Sequence, residues 1–326
     1  MATNNFKGAL LGLTSMAIFA THDAVIKSLG ETFTAFQIVF FAALLSFPIV
    51  TVILLKDKRE GHLRPLHPWW VLARTVCTVV TGVSAFYAFS KLPLAQVYPI
   101  LFATPLLITV LSIPILGETV RLRRWAAVVV GLIGVIVVVR PGQADLTLGH
   151  IAALLSSICG AFASVIVRKI GQDERPVVLL LYPMMGNFIV MAMALPFVYV
   201  PMQLPDLGAL AIVALFGLTA SFLQIQAYRA GEAVIVAPMQ YSQIIWAVIF
   251  GYLFFNESVD LPTMVGAAIV ISSGLYIVFR ESSSDASENQ PVLRTRGRNE
   301  TPVTPRSSLL QRVLSPNRNS KKSGSH

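Results

Sequence analysis

The sequence predicts an all-α membrane protein of ten transmembrane helices, built as two inverted five-helix repeats. Three observations predict it: composition, internal duplication and the placement of charge. The chain has 326 residues, of which 55% are apolar and 13% charged, whereas a soluble domain carries about 25% charged residues. Its apolar stretches run to about 17–23 residues, enough to cross a hydrocarbon core of about 30 Å as helices. The two halves also say nearly the same thing. Ala85 to Gly142 reads AFYAFSKLPLAQVYPILFATPLLITVLSIPILGETVRLRRWAAVVVGLIGVIVVVRPG, and Gln224 to Glu281 reads QIQAYRAGEAVIVAPMQYSQIIWAVIFGYLFFNESVDLPTMVGAAIVISSGLYIVFRE. Pro99 pairs with Pro238 and Glu118 with Glu257, both 139 residues apart. After a one-residue slip, Gly134 pairs with Gly274 and Arg140 with Arg280.

Spans are expected near 6–26, 34–55, 69–90, 94–116, 125–140, 149–168, 177–199, 207–227, 233–255 and 262–279. The first reads as a span and not as a cleaved signal, because no small-residue cleavage site with a polar chain behind it follows. Pro65, Pro68, Gly117, Pro141, Gly142, Gly171, Pro201, Pro205 and Pro262 punctuate short connections. Trp69, Trp70 and Trp125 fall where amphipathic rings prefer to lie, near the interfaces. Cys77 and Cys159 lie inside spans and read as small buried hydrophobes.

Charge orients the chain. With the N-terminus in the cytoplasm, the inner segments carry Lys7, Lys56, Lys58, Arg59, Arg64, Arg121, Arg123, Arg124, Arg168, Lys169, Arg175 and Arg229. The outer loops carry only Lys27, Lys91 and Arg140. This asymmetry puts both termini in the cytoplasm. Five is an odd number, so the two repeats cross the membrane in opposite senses. Ser15, Lys27 and Gly30 match Ser156, Arg168 and Gly171, each 141 residues on. Residues 1–142 then form the first repeat and 143–281 the second. Residues 282–326 form a basic tail, rich in Ser, Arg, Asn and Pro, that is expected to be disordered in the cytoplasm. The net charge of +9 comes mostly from loops and tail, so it suits an anionic lipid surface and is not read as nucleic-acid binding.

An inverted repeat points to a transporter, because each half can adopt the other's conformation and open a midplane site to either face. Polar side chains within spans are the candidates for that site. His22 and Asp23 in span 1 have no ionisable equivalents in span 6, where Ala163 and Ser164 stand. They can hold substrate or a proton, or merely shape the mouth of the bundle. Gln240, Tyr241 and Gln243 follow Pro238, and the matching Phe102 and Thr104 follow Tyr98 and Pro99. Two helices bent at proline would line one pocket with amides, rings and hydroxyls; the alternative is interhelical glue. Tyr87, Asn187, Gln224 and Gln226 complete a lining suited to a planar, polar-edged ligand. Glu118 and Glu257 are expected to serve the dipole of the helix that follows each. Gly8, Gly12, Gly131 and Gly134 offer small surfaces for close packing, and with them a possible homodimer.

Several classes are excluded. No P-loop, no HExxH and no Cys/His cluster is present, so the chain carries neither an ATP site nor a protease metal site, and no cofactor is expected. An intramembrane enzyme acting on lipid would need more ionisable groups than His22 and Asp23 supply.

The stretch LPLAQVYPILFATPLLITVLSIPILGE, with the basic loop, Gly-rich span and RPG after it, resembles the EamA-type repeat of the drug/metabolite transporter superfamily. The second copy departs from it, with GEAV where the first has LPLA. The resemblance covers residues 1–280. It implies a bacterial inner-membrane carrier with a central cavity and no enzymatic activity. The segments Thr21–Lys27, His67–Trp70, Val165–Gly171, Leu180–Met185 and Ala227–Ala247 are most similar to the bacterial riboflavin importers of that superfamily. They also resemble carriers for S-adenosylmethionine uptake. Riboflavin import is therefore the expected activity, with transport of S-adenosylmethionine or amino-acid-like metabolites as the alternative.

Overall fold

A computed structural model of the chain describes residues 5–55, 64–117, 120, 122–141, 146–171, 173–174, 176–231 and 233–282. The expected tail after Ser282, Glu118, and the basic residues Lys56, Lys58, Arg59, Arg121 and Arg175 lie outside them. The described residues form helices without a strand: α1 (Asn5–Leu29), α2 (Ala35–Leu55), α3 (Pro68–Lys91), α4 (Leu94–Leu101), α5 (Thr104–Leu116), α6 (Leu122–Val139), α7 (Leu148–Ile170), α8 (Pro176–Val198), α9 (Leu204–Ala230), α10 (Ala233–Val236), α11 (Ser242–Phe255) and α12 (Leu261–Ser282). A 3-10 turn, Ala237–Tyr241, joins α10 to α11.

Eight segments among the described residues are long and apolar enough to cross a membrane, Leu94–Leu116 counted as one. The expected second and ninth spans are not among them. The second contributes the shorter apolar stretch Ala35–Pro48. The ninth is broken into α10, the 3-10 turn and α11. Span four is broken at the matching place, between α4 and α5. Prolines flank both interruptions: Pro105 opens α5 directly after the first break, and Pro238 lies in the 3-10 turn of the second; a proline ring removes a backbone donor and crowds the preceding turn. Both broken spans also end alike. Gly117 after α5 and Asn256 after α11 are left-handed, with φ of 70° and 52°, and the two positions are repeat equivalents.

Helix neighbours are reciprocal between the copies. α1 packs along α9 and α3 along α7, while α6 meets α12, α2 meets α8 and α4 meets α11. Exchanging first-copy helices for their second-copy equivalents turns the α1–α9 pair into the α7–α3 pair and leaves the α6–α12 and α2–α8 pairs as they are. A hydrogen bond repeats the pattern. Ser15 Oγ donates to the Ala220 carbonyl at 2.7 Å, and the equivalent Ser156 Oγ donates to the Thr81 carbonyl, 3.1 Å away.

Small residues make the close helix crossings. A Cβ on Gly8 would stand 2.6 Å from the Cα of Gly231, and one on Gly134 would stand 2.9 Å from the carbonyl of Gly266. Gly12 faces Met239, and Gly131 faces Leu106 and Ser273. All four glycines expected to offer a surface to a second copy are consumed by packing within the chain. Large apolar side chains such as Ile136, Phe197 and Met264 point outward instead, as a bilayer-facing surface requires. Cys77 and Cys159 are free and half-buried.

Candidate functional site

The two helix breaks meet at the middle of the bundle. Phe102 follows α4 and Tyr241 ends the 3-10 turn; they are repeat equivalents, and their rings touch edge-to-face with centroids 5.1 Å apart. Phe102 stacks on Tyr98 at 6.1 Å, and Tyr98 meets Phe89 of α3 at 5.6 Å. The result is a continuous run of aromatic rings, an arrangement that presents faces and edges to a planar ligand.

Polar groups border this run. Tyr98 donates its hydroxyl to Asp23 Oδ2 at 2.6 Å, and His22 Nδ1 lies 2.8 Å from Asp23 Oδ1. All three side chains are buried. The His22 ring stands edge-on between Phe19 and Phe86, at 6.5 and 6.3 Å. Its Nε2 is buried without a hydrogen-bond partner, as is Gln243 Nε2 at the start of α11. A buried polar atom without a partner costs about 1–3 kcal/mol, so each such atom asks for a reason.

The remaining expected residues divide. Gln224 of α9 is buried and accepts from Ser15 Oγ at 3.2 Å, which ties it to α1. Thr104 donates to the carbonyls of Leu101 and Ser157, and so glues α5 to α7. Asn187 turns its amide to the Pro183 carbonyl of its own helix, while its Oδ1 is buried and unpartnered. Tyr87 is half-buried against the largest apolar cluster. Gln226 and Gln240 are also half-buried. Gln240 lies in the 3-10 turn and Gln243 in the first turn of α11. The structure thus joins His22, Asp23, Tyr98, Phe102 and Tyr241 by direct contact and sets the others around or away from them.

The twofold match of the sequence to one family model decides the identity. The EamA-like transporter family model matches residues 6–140 and again 147–279. The chain belongs to this family. Its relatives include the S-adenosylmethionine uptake transporter of Rickettsia prowazekii, 27% identical over 85% of this chain and 94% of that protein. The riboflavin transporter of Rhizobium johnstonii is 28% identical over 74% of this chain and 78% of its own length. The pseudopaline exporter of Pseudomonas aeruginosa is 26% identical over 81% of this chain and 93% of its own length. A solved crystal structure shares the fold with a TM-score of 0.56, covering 85% of this chain and 99% of that chain at 17% identity. The EamA-type chain is therefore a multi-pass membrane transporter of small molecules from a bacterial family whose named members are transporters and not enzymes.

In this EamA-type transporter the sequence overlooked one feature of the site. Lys27, one helical turn beyond Asp23, forms an ion pair with Glu257 at 2.8 Å. Glu257 does not serve the helix after it, as expected. It accepts the first backbone N–H of α4, from Leu94, at 3.1 Å. Asp260 takes the place at α12, accepting from Thr263 N at 3.3 Å and pairing with Arg140. Burial acts to raise the Asp260 carboxyl, but hydrogen bonds from Thr263 and Arg140 outweigh it and hold the group below its usual value. A signal for the Lys27–Glu257 pair was present, since charge placement puts both residues at the same end of the bundle.

Proposed function

We propose that this transporter imports riboflavin into a bacterial cell by alternating access. Its two five-helix halves, residues 1–142 and 143–281, have inverted topology, and both termini face the cytoplasm. The observation that carries the cargo reading is the run of rings at the two helix breaks. Phe89, Tyr98, Phe102 and Tyr241 form this run; Tyr98 carries it to the buried Asp23–His22 pair, and the Nε2 atoms of His22 and of Gln243, two residues after Tyr241, are buried without a partner. A tricyclic flavin offers a broad face to such rings and donors and acceptors along its edge. The inverted topology is supported by the basic residues gathered on one side. The reciprocal helix neighbours and the repeated Ser15 and Ser156 hydrogen bonds support it as well.

A second reading is S-adenosylmethionine uptake. Asp23 favours it, because a carboxylate buried between a histidine and a tyrosine suits a cargo bearing both an aromatic ring and a positive charge.

The test is growth of a bacterium that can neither synthesise nor import riboflavin, supplied with a low concentration of the vitamin. Rescue is expected, together with its loss when Gln240 and Gln243 are both changed to Leu at unchanged protein level. A well-expressed wild-type protein that gives no rescue removes riboflavin and leaves the S-adenosylmethionine reading in front.

A further inference from the structure

The Lys27–Glu257 pair is built differently from a surface ion pair. Its side chains are only 11% and 14% exposed. Lys27 Nζ also donates to the Leu92 carbonyl at 2.6 Å and lies over the Phe255 ring, 5.3 Å from its centroid. Glu257 is held by its own N–H, which donates to the Gly251 carbonyl at 2.9 Å, after the left-handed Asn256. One ion pair therefore ties three things together: the end of α1, the α3–α4 junction and the end of α11. Two belong to the first copy and one to the second. Lys27 lies on the face of α1 that carries Asp23, because residues four apart are stacked on a helix. The tie consequently lies directly above the His22–Asp23–Tyr98 group, on one side of a small cleft lined by Pro93, Gln96, Ala247, Gly251, Glu257 and Thr263.

We propose that Lys27 and Glu257 form a gate latch that closes the site at the end of the bundle where α1 finishes and parts when the site opens there. The inference rests on the alternating-access reading. The chemistry suits a reversible latch. Two charges withdrawn from water pay a desolvation cost that their mutual pairing offsets together with the Leu92 carbonyl, the Phe255 ring and the Leu94 N–H. When the cleft opens, water solvates both, so the paired and separated states lie close in free energy. The backbone partners Leu92 and Leu94 make the latch directional, since parting it frees the first turn of α4, the half-helix that carries Tyr98. Removing one charge strands the other in a nearly dry position and so favours the open state, in which water reaches it.

Side-specific labelling tests this in the full-length protein. Cys77 and Cys159 are first replaced by Ser, and Ala247→Cys is added as the reporter, since Ala247 is buried and lines the cleft. A membrane-impermeant maleimide is then applied to intact cells or to inverted vesicles. Glu257→Gln and Lys27→Met are each expected to raise labelling from the Glu257 face by roughly tenfold or more, the sign of a stranded buried charge. They are expected to lower it from the opposite face. Lys27→Arg keeps the charge and should leave both rates near those of the background protein. Asp260→Asn breaks a different ion pair at the same end and should also leave them unchanged. Unchanged labelling in Glu257→Gln and Lys27→Met, with the background protein labelled from both faces, overturns the latch and leaves the carrier reading intact. A lowered melting temperature without altered labelling also overturns it and makes the pair a fixed staple. Labelling of the background protein from one face only overturns alternating access itself.

Discussion

Asp23→Asn is expected to fold normally and to lose transport by roughly ten- to hundredfold, because a hydrogen bond to a charged group is worth about 1.5–3 kcal/mol. The carboxylate accepts from two donors, His22 Nδ1 and the Tyr98 hydroxyl. Asparagine offers one acceptor and one donor. The mismatch is absorbed locally: the imidazole moves its proton to Nε2 and Nδ1 accepts, or the tyrosine hydroxyl turns and accepts. Packing survives and the negative charge is lost. Asp23→Leu is a different experiment. It leaves two buried donors without acceptors, at about 1–3 kcal/mol each, and is expected to lower the melting temperature as well as transport. Uptake into vesicles beside thermal unfolding in detergent separates the two effects. An Asp23→Asn protein that transports at the wild-type rate would take Asp23 out of the site. The same pair bears on energy coupling. Combined His22→Ala and Asp23→Asn should abolish any accumulation that an uncoupler collapses. A double variant that still accumulates substrate and ignores the uncoupler would remove proton coupling through these groups.

Much of this arrangement was legible in the chain because proline and repeat spacing are local signals. Pro99 and Pro238 marked spans four and nine as bent, and the 139-residue offset said that the bends would match; that the bends are full breaks was not legible. The offset also paired Phe102 with Tyr241. That these two rings touch each other was not legible, since contact between equivalents depends on where the two copies meet in space. The Tyr98–Asp23 hydrogen bond was hidden for a related reason: it spans 75 residues between two helices, and no periodicity encodes such a partner. Thr104 and Asn187 have partners that no sequence pattern shows. In a span with no water nearby, a hydroxyl or amide is often satisfied by a backbone carbonyl of its own or an adjacent helix, and both side chains make such bonds here. The same local bias sent Glu257 to the helix next in sequence, whereas the donor it reaches, Leu94 N–H, lies 163 residues away.

Two glycine substitutions of equal size should have opposite kinds of effect. Gly274→Ala places a methyl group on the Tyr241 hydroxyl, since a Cβ there overlaps that oxygen and lies 2.8 Å from Cζ. The phenol is buried and backed by Phe102, so the ring has to leave its place in the aromatic run. Gly8→Ala instead sets a methyl 2.6 Å from the Cα of Gly231 and 2.7 Å from its nitrogen. Backbone cannot rotate away as a side chain can, so α1 has to separate from α9. Overpacking of this kind costs about 1–3 kcal/mol. Gly8→Ala is accordingly expected to show the larger fall in melting temperature. Gly274→Ala is expected to retain most of its stability and lose about tenfold in transport, a difference of about 1.4 kcal/mol in the barrier. Tyr241→Phe supplies the internal check. It removes the overlapping oxygen, so adding it to Gly274→Ala should recover part of the stability lost, while adding it to Gly8→Ala should recover none. A double variant no more stable than Gly274→Ala alone would show that the hydroxyl of Tyr241 does not lie against α12, and the aromatic run would have to be redrawn without it.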